Sequence, residues 1–69
     1  MNTALAKRIR EVRAEAGLTQ AQFGEKISVS QDTVSLWEKG KSVPTVDCLI
    51  AICQTYSVSA DYLLGLKEY

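Results

Sequence analysis

Histidine is missing from this chain of 69 residues, which removes the side chain most used as a general base near neutral pH and the commonest metal ligand. No paired carboxylates are spaced to build a pocket around a substrate, so an enzyme is not expected. Cysteine occurs twice, as Cys48 and Cys53. Five residues apart on one helix, the two thiols project roughly 140° from each other and cannot pair there, which makes buried free thiols the expectation. A zinc site would then need several clustered carboxylates, and none have that spacing; neither a metal nor another cofactor is expected.

Long apolar runs are absent too. None approaches the length needed to span a bilayer, and no apolar stretch follows the first charges as it would in a signal peptide, so a cytoplasmic protein is expected. An excess of one charge is also lacking: eight Lys and Arg balance eight Asp and Glu, whereas nucleic-acid-binding domains usually carry a basic surplus. The balance is uneven along the chain. Residues 1–41 hold seven cations against five carboxylates and residues 42–69 hold one against three, a surplus of +2 followed by −2.

What is present is an ordinary globular mixture, 46% hydrophobic and 23% charged, in a chain with room for one domain over residues 1–69. Leu5, Ile9, Val12 and Ala16 follow the 4-3-4 spacing of one helical face and predict a first helix from Thr3 to Ala16, stopped by Gly17. Thr19 followed by Gln22 is a capping-box pattern that opens a short second helix ending near Ile27, with Phe23 and Ile27 as its apolar pair. Ser30 caps a third helix through Lys39, with Val34 and Trp37 inward and Gly40 as terminator.

After a loop through Pro44, Thr45 caps a fourth helix in which Val46, Leu49, Ile50 and Cys53 share the inward spacing. Ser57 and Val58 break it. Ser59 caps a final short helix, Ala60 to Leu64, followed by Gly65 and a polar tail. No repeat, low-complexity tract or strand pattern occurs. The expectation is an all-α fold of five helices.

Helices two and three, joined by so tight a turn and the second polar on its outer side, fit the helix-turn-helix unit whose second helix enters the DNA major groove. Residues 18–40, LTQAQFGEKISVSQDTVSLWEKG, resemble the phage repressor and Cro-like family, also called the xenobiotic-response-element family. The likeness continues through the Pro44 loop to SVSADYLLG and covers almost the whole chain. It implies a five-helix repressor-like domain that binds a double-stranded operator, with a recognition helix at about residues 30–39, acting as a small transcriptional regulator and chiefly a repressor.

Gln31, Asp32, Ser35, Leu36 and Lys39 occupy adjoining positions of one helical face. Gln31, at the helix start, has an amide able to donate to N7 and accept from N6 of adenine. Asp32 has two readings: an acceptor for cytosine N4, or a carboxylate complementing the positive end of the helix dipole. Leu36 either touches a thymine methyl or is partly buried. Thr33 either flanks DNA or serves the capping turn. Ser30, Ser35, Lys39, Lys41 and Ser42 are candidates for the phosphate backbone, each with a merely solvated alternative.

Gln20 stands in the first turn of the second helix, where free N–H groups favour a phosphate. The resemblance implies that it contacts the backbone and braces the recognition helix. Trp37 is expected in the core rather than on DNA. Glu38, acidic in a helix meant to approach DNA, is expected to turn inward, and by the resemblance its partner is Arg13 in a partly buried ion pair.

Two positions depart from the family pattern. Ser28 stands where glycine is usual and Gly24 where alanine is usual, at a cost of about 1 kcal/mol each in a left-handed turn and in helix propensity. The run Gly40-Lys41-Ser42 ends like a phosphate-binding loop, but Ser35 stands where that loop demands its first glycine. Two other readings remain. One is a protein-interaction module such as an antitoxin or partner-binding domain with DNA secondary, which the neutral charge keeps open. The other is self-association: a weak homodimer is expected through the last two helices, around Val58, Tyr62, Leu63 and Leu66.

Overall fold

The computed structural model describes residues 3–69, so the first two residues of the expected domain lie outside the described region. Five helices follow in order: α1 (Thr3–Glu15), α2 (Gln20–Lys26), α3 (Gln31–Glu38), α4 (Val46–Tyr56) and α5 (Ala60–Leu63). There is no strand among the described residues. The all-α five-helix expectation holds, and the boundaries agree to within one or two residues.

Each start is written locally. Thr19, Ser30, Thr45 and Ser59 hold extended backbone, and each side chain accepts the amide hydrogen of the residue three positions on. That satisfies donors a helix terminus otherwise leaves open. The capping box of α2 is complete, with Gln22 N–H donating to Thr19 Oγ1 at 3.1 Å and Thr19 N–H to Gln22 Oε1 at 2.9 Å.

The core gathers Leu5, Ile9 and Val12 of α1, Phe23 of α2, Ile27 just after it, Val34 and Trp37 of α3, Ile52 of α4 and Leu63 of α5. Ala16 is not part of it. Ala16 follows the last residue of α1; its amide still donates to the Val12 carbonyl at 3.1 Å, but the residue is exposed where the chain turns off at Gly17.

The orientation of α4 differs from expectation. Val46 and Ile50 are 72% and 48% exposed, whereas Ile52 is fully buried. The helix is apolar on most sides, VDCLIAICQTY, so two faces satisfy helical spacing and the sequence does not choose between them. Tyr56 chooses. Its ring stacks on Phe23 with centroids 4.5 Å apart and planes 9° from parallel, and its hydroxyl donates to the Phe23 carbonyl at 3.1 Å. Ile52 and Cys48 lie one and two turns before Tyr56 on that side; Ile50, about 200° around from Ile52, is carried outward. Cys48 and Cys53 are free but half-buried rather than buried, and burial pushes the Cys53 thiol above its ordinary pKa.

The chain end is held rather than loose. Arg8 donates to the carbonyls of Tyr62 and Lys67 at 2.6 and 2.5 Å and lies 4.5 Å over the Tyr62 ring, while Tyr62 donates to Glu11 at 3.3 Å. Leu63, expected on a self-association surface, is fully buried: this clamp turns the α5 apolar side chain into the core. Tyr62 and Val58 are half-buried, and Leu66 is 71% exposed.

The turn between α2 and α3 depends on two unusual residues. Ser28 takes the left-handed conformation, φ 64°, and the amides of Ser28 and Val29 donate to Glu25 at 3.3 Å and Gly24 at 2.9 Å. This is the pairing of a Schellman stop, normally built on glycine. Gly24 lets the start of α3 come close: a Cβ there would stand 2.5 Å from the Val29 carbonyl oxygen and 3.2 Å from Val34 Cγ2. Substitutions at the two sites should therefore act in opposite directions. Ser28→Gly should raise stability by about 0.5–1 kcal/mol by relieving left-handed strain. Gly24→Ala should lower it by about 1 kcal/mol, overpacking outweighing helix propensity. Thermal or urea unfolding of both variants measures this, and a stabilising Gly24→Ala would mean that the helices separate freely.

Candidate nucleic-acid interface

Two faces of α3 differ sharply. Val34, Trp37 and Glu38 are buried, while Gln31, Asp32 and Leu36 are exposed, with Leu36 at 42%. Gln31 is the first residue of the helix and Asp32 lies in its first turn, so both project from the end at which the helix dipole is positive. Ser35 is half-buried on the same side.

Ser30 and Thr33 are engaged locally. Thr33 N–H donates to Ser30 Oγ at 3.2 Å, and the two hydroxyls lie 3.0 Å apart, so both secure the first turn of α3. Lys39 caps the helix C-terminus and is exposed, as is Lys41; Ser42 is half-buried. The amides of Lys41 and Ser42 donate to the Leu36 carbonyl at 3.0 and 3.4 Å, which folds this loop back over the end of α3. The expected contact residues thus lie on α3, at its N-cap for Ser30, on the loop that follows it or, for Gln20, at the start of α2.

Behind that surface lies a buried carboxylate. Glu38 is 6% exposed and faces Arg13 in a two-point bridge, Nε to Oε2 at 2.7 Å and Nη2 to Oε1 at 3.0 Å. Arg13 also donates to the Leu18 carbonyl at 3.1 Å. Gln20 donates its amide N–H to Glu38 Oε1 at 3.1 Å, which ties the start of α2 to the end of α3. Arg10, absent from the sequence expectation, places Nε 3.8 Å from Glu38 Oε1. Its position one turn before Arg13 on α1 was the available signal.

Burial alone pushes the Glu38 carboxyl up. The hydrogen bonds from Arg13 and Gln20, with the charges of Arg13 and Arg10, outweigh that and hold it below the ordinary carboxylate range. The hydrogen bonds to Glu38 raise the Arg13 guanidinium, against the opposing effect of its own burial. With its folded-state value depressed, Glu38 contributes its full stability above the unfolded value of about 4.3 and loses it as pH falls through the folded value. Stability should therefore drop as pH falls below about 4. Glu38→Gln should cost about 3 kcal/mol at neutral pH by leaving Arg13 half-paired, and should flatten that part of the profile. Urea unfolding across pH 2–7 measures both, and an unchanged profile in the variant would show that another carboxylate controls acid unfolding.

No helix among the described residues is long and apolar enough to cross a membrane. Comparison with known proteins agrees with the geometry. The transcriptional regulator ImmR of Bacillus subtilis is 39% identical over 64 residues, covering 93% of this chain and 50% of that protein. Repressor protein C2 of Salmonella phage P22 is 37% identical over 65 residues, covering 93% of this chain and 30% of that protein. The chain thus spans half or less of the length of these two curated relatives. The crystal structure of the P22 c2 repressor in complex with a synthetic operator superposes with a TM-score of 0.85 at 32% identity, covering 91% of this chain and 96% of that one. Residues 9–63 match the helix-turn-helix family, and with α2 and α3 forming that unit, the chain belongs to it.

Proposed function

We propose that this domain binds double-stranded DNA sequence-specifically, with α3 in the major groove, and acts as a small transcriptional repressor by occupying a promoter. The observation that carries the reading is the two-faced α3, on which Gln31, Asp32 and Leu36 project together while Val34, Trp37 and Glu38 anchor the helix. In this reading Gln31 pairs with an adenine edge, Asp32 accepts from a cytosine amino group and Leu36 packs on a thymine methyl. Gln20, Ser35, Lys39, Lys41 and Ser42 hold phosphates, while Ser30 and Thr33 fix the entry of the helix. The likeness to a repressor solved with its operator supports this arrangement.

One such module buries a modest surface, so useful affinity calls for two copies on half-sites about one helical turn apart. The domain is accordingly proposed to associate weakly as a homodimer. With Leu63 withdrawn into the core, the exposed large hydrophobic side chains on or after the last two helices include Val46, Ile50, Leu66 and Tyr69.

Selection from random duplexes should enrich a sequence with two half-sites about 10 bp apart. Gln31→Ala should weaken binding by about 1–3 kcal/mol and relax preference at one position per half-site. Failure to enrich any sequence, with binding instead to a protein partner and little salt dependence, would favour the interaction-module reading. Sedimentation should find two copies on the enriched duplex; one copy per duplex would remove the dimer.

A further inference from the structure

Three cations, two from α1 and one from the end of α3, meet at one place. A notch of about 300 Å³ opens between the first half of α1 and the end of α3, lined by Thr3, Ala6, Lys7, Arg10, Glu38, Lys39 and Gly40. Lys7 and Lys39 are exposed, and the Arg10 side chain is 62% exposed. The one carboxylate at the notch is already engaged: Glu38 is bridged at two points by Arg13 and holds Arg10 only at 3.8 Å. Lys7, Arg10 and Lys39 therefore bring three positive charges together in a chain whose formal net charge is zero.

That grouping is unfavourable unless an anion shares it. Lys7 and Arg10 are i, i+3 neighbours on α1, where like charges destabilise a helix by a few tenths of a kcal/mol, and Lys39 adds a third from a distant part of the chain. Lys39 and Gly40 also close the recognition helix, so one wall of the notch is the end of the helix proposed for DNA. Both the sign and the position suit a phosphate at the rim of the groove that α3 occupies.

We propose that this notch binds a backbone phosphodiester of the duplex, so that α1, through Lys7 and Arg10, contributes to DNA affinity alongside α3. The inference rests on the DNA-binding reading above and adds a phosphate contact from a helix outside the helix-turn-helix unit.

The test is the salt dependence of binding to the enriched duplex, for the unaltered domain and for Lys7→Gln, Lys7→Arg and Lys7→Gln/Arg10→Gln, with folding of each followed by circular dichroism. Lys7→Gln should weaken binding about equally across sequences and lower the slope of log K against log salt by about 1, the double variant by about 2, while Lys7→Arg should retain the slope. An unchanged slope in a folded Lys7→Gln variant that still selects the same sequence would overturn the notch and leave the DNA reading intact. If the unaltered domain binds no duplex, both readings fail together. Titration with inorganic phosphate separates the remaining source: saturation of the Lys7, Arg10 and Lys39 amide signals at submillimolar phosphate would make a free phosphate the ligand and overturn the duplex assignment.

Discussion

The Glu38 carboxylate is the point on which the rest of this structure depends. It is the last residue of α3, yet it receives Arg13 from α1 and Gln20 from the start of α2, while Arg13 reaches on to the Leu18 carbonyl in the turn between those helices. One buried anion thus ties three helices together. A lone carboxylate in that position would be costly to desolvate; here two charge-assisted hydrogen bonds from a planar guanidinium and one from an amide compensate it. The directional demands of those bonds reinforce the rotation of α3 that buries Val34 and Trp37, and that rotation leaves Gln31, Asp32 and Leu36 facing outward.

Small size makes each local compromise count. A domain of this length has a net stability of only several kcal/mol, so left-handed serines at positions 28 and 57, each costing about 1 kcal/mol, are a noticeable fraction of it. The Ser28 strain has a geometric counterpart in Gly24, whose missing side chain allows α3 to approach α2 more closely than an alanine would. The Phe23–Tyr56 stack and the Arg8 clamp on the chain end bring α4 and α5 against the other helices. Interactions between distant segments therefore supply what so short a chain cannot obtain from a larger core.

Zero net charge is compatible with an electrostatically uneven surface. Opposite charges are consumed in pairs where they hold the fold, as Arg13 is with Glu38 and Arg8 in part with Glu68. Of the remaining cations, Lys7 and Lys39 line one notch with Arg10, between the end of α3 and the first half of α1. A sum over residues averages these two populations, which is why the balance of charges kept an interaction module open while the three cations at this notch suit a phosphate-bearing partner.

The sequence by itself determined where the helices begin, because each cap is a side chain reaching a backbone group three residues away and so belongs to a single local stretch. It also determined which face of α3 turns inward, since Val34 and Trp37 leave the polar residues only one side. It determined the Arg13–Glu38 pair only through family resemblance. Tertiary structure decided the rotation of α4, where Val46 and Ile50 fit a helical period as well as Cys48, Ile52 and Tyr56 do, and where Phe23, 33 residues before Tyr56, selects between them. It decided that Leu63 is core and that Lys7, Arg10 and Lys39 share one notch. Period and capping are properties of neighbouring residues, whereas the choice among equally apolar faces and the meeting of distant charges depend on which surfaces the folded chain brings together.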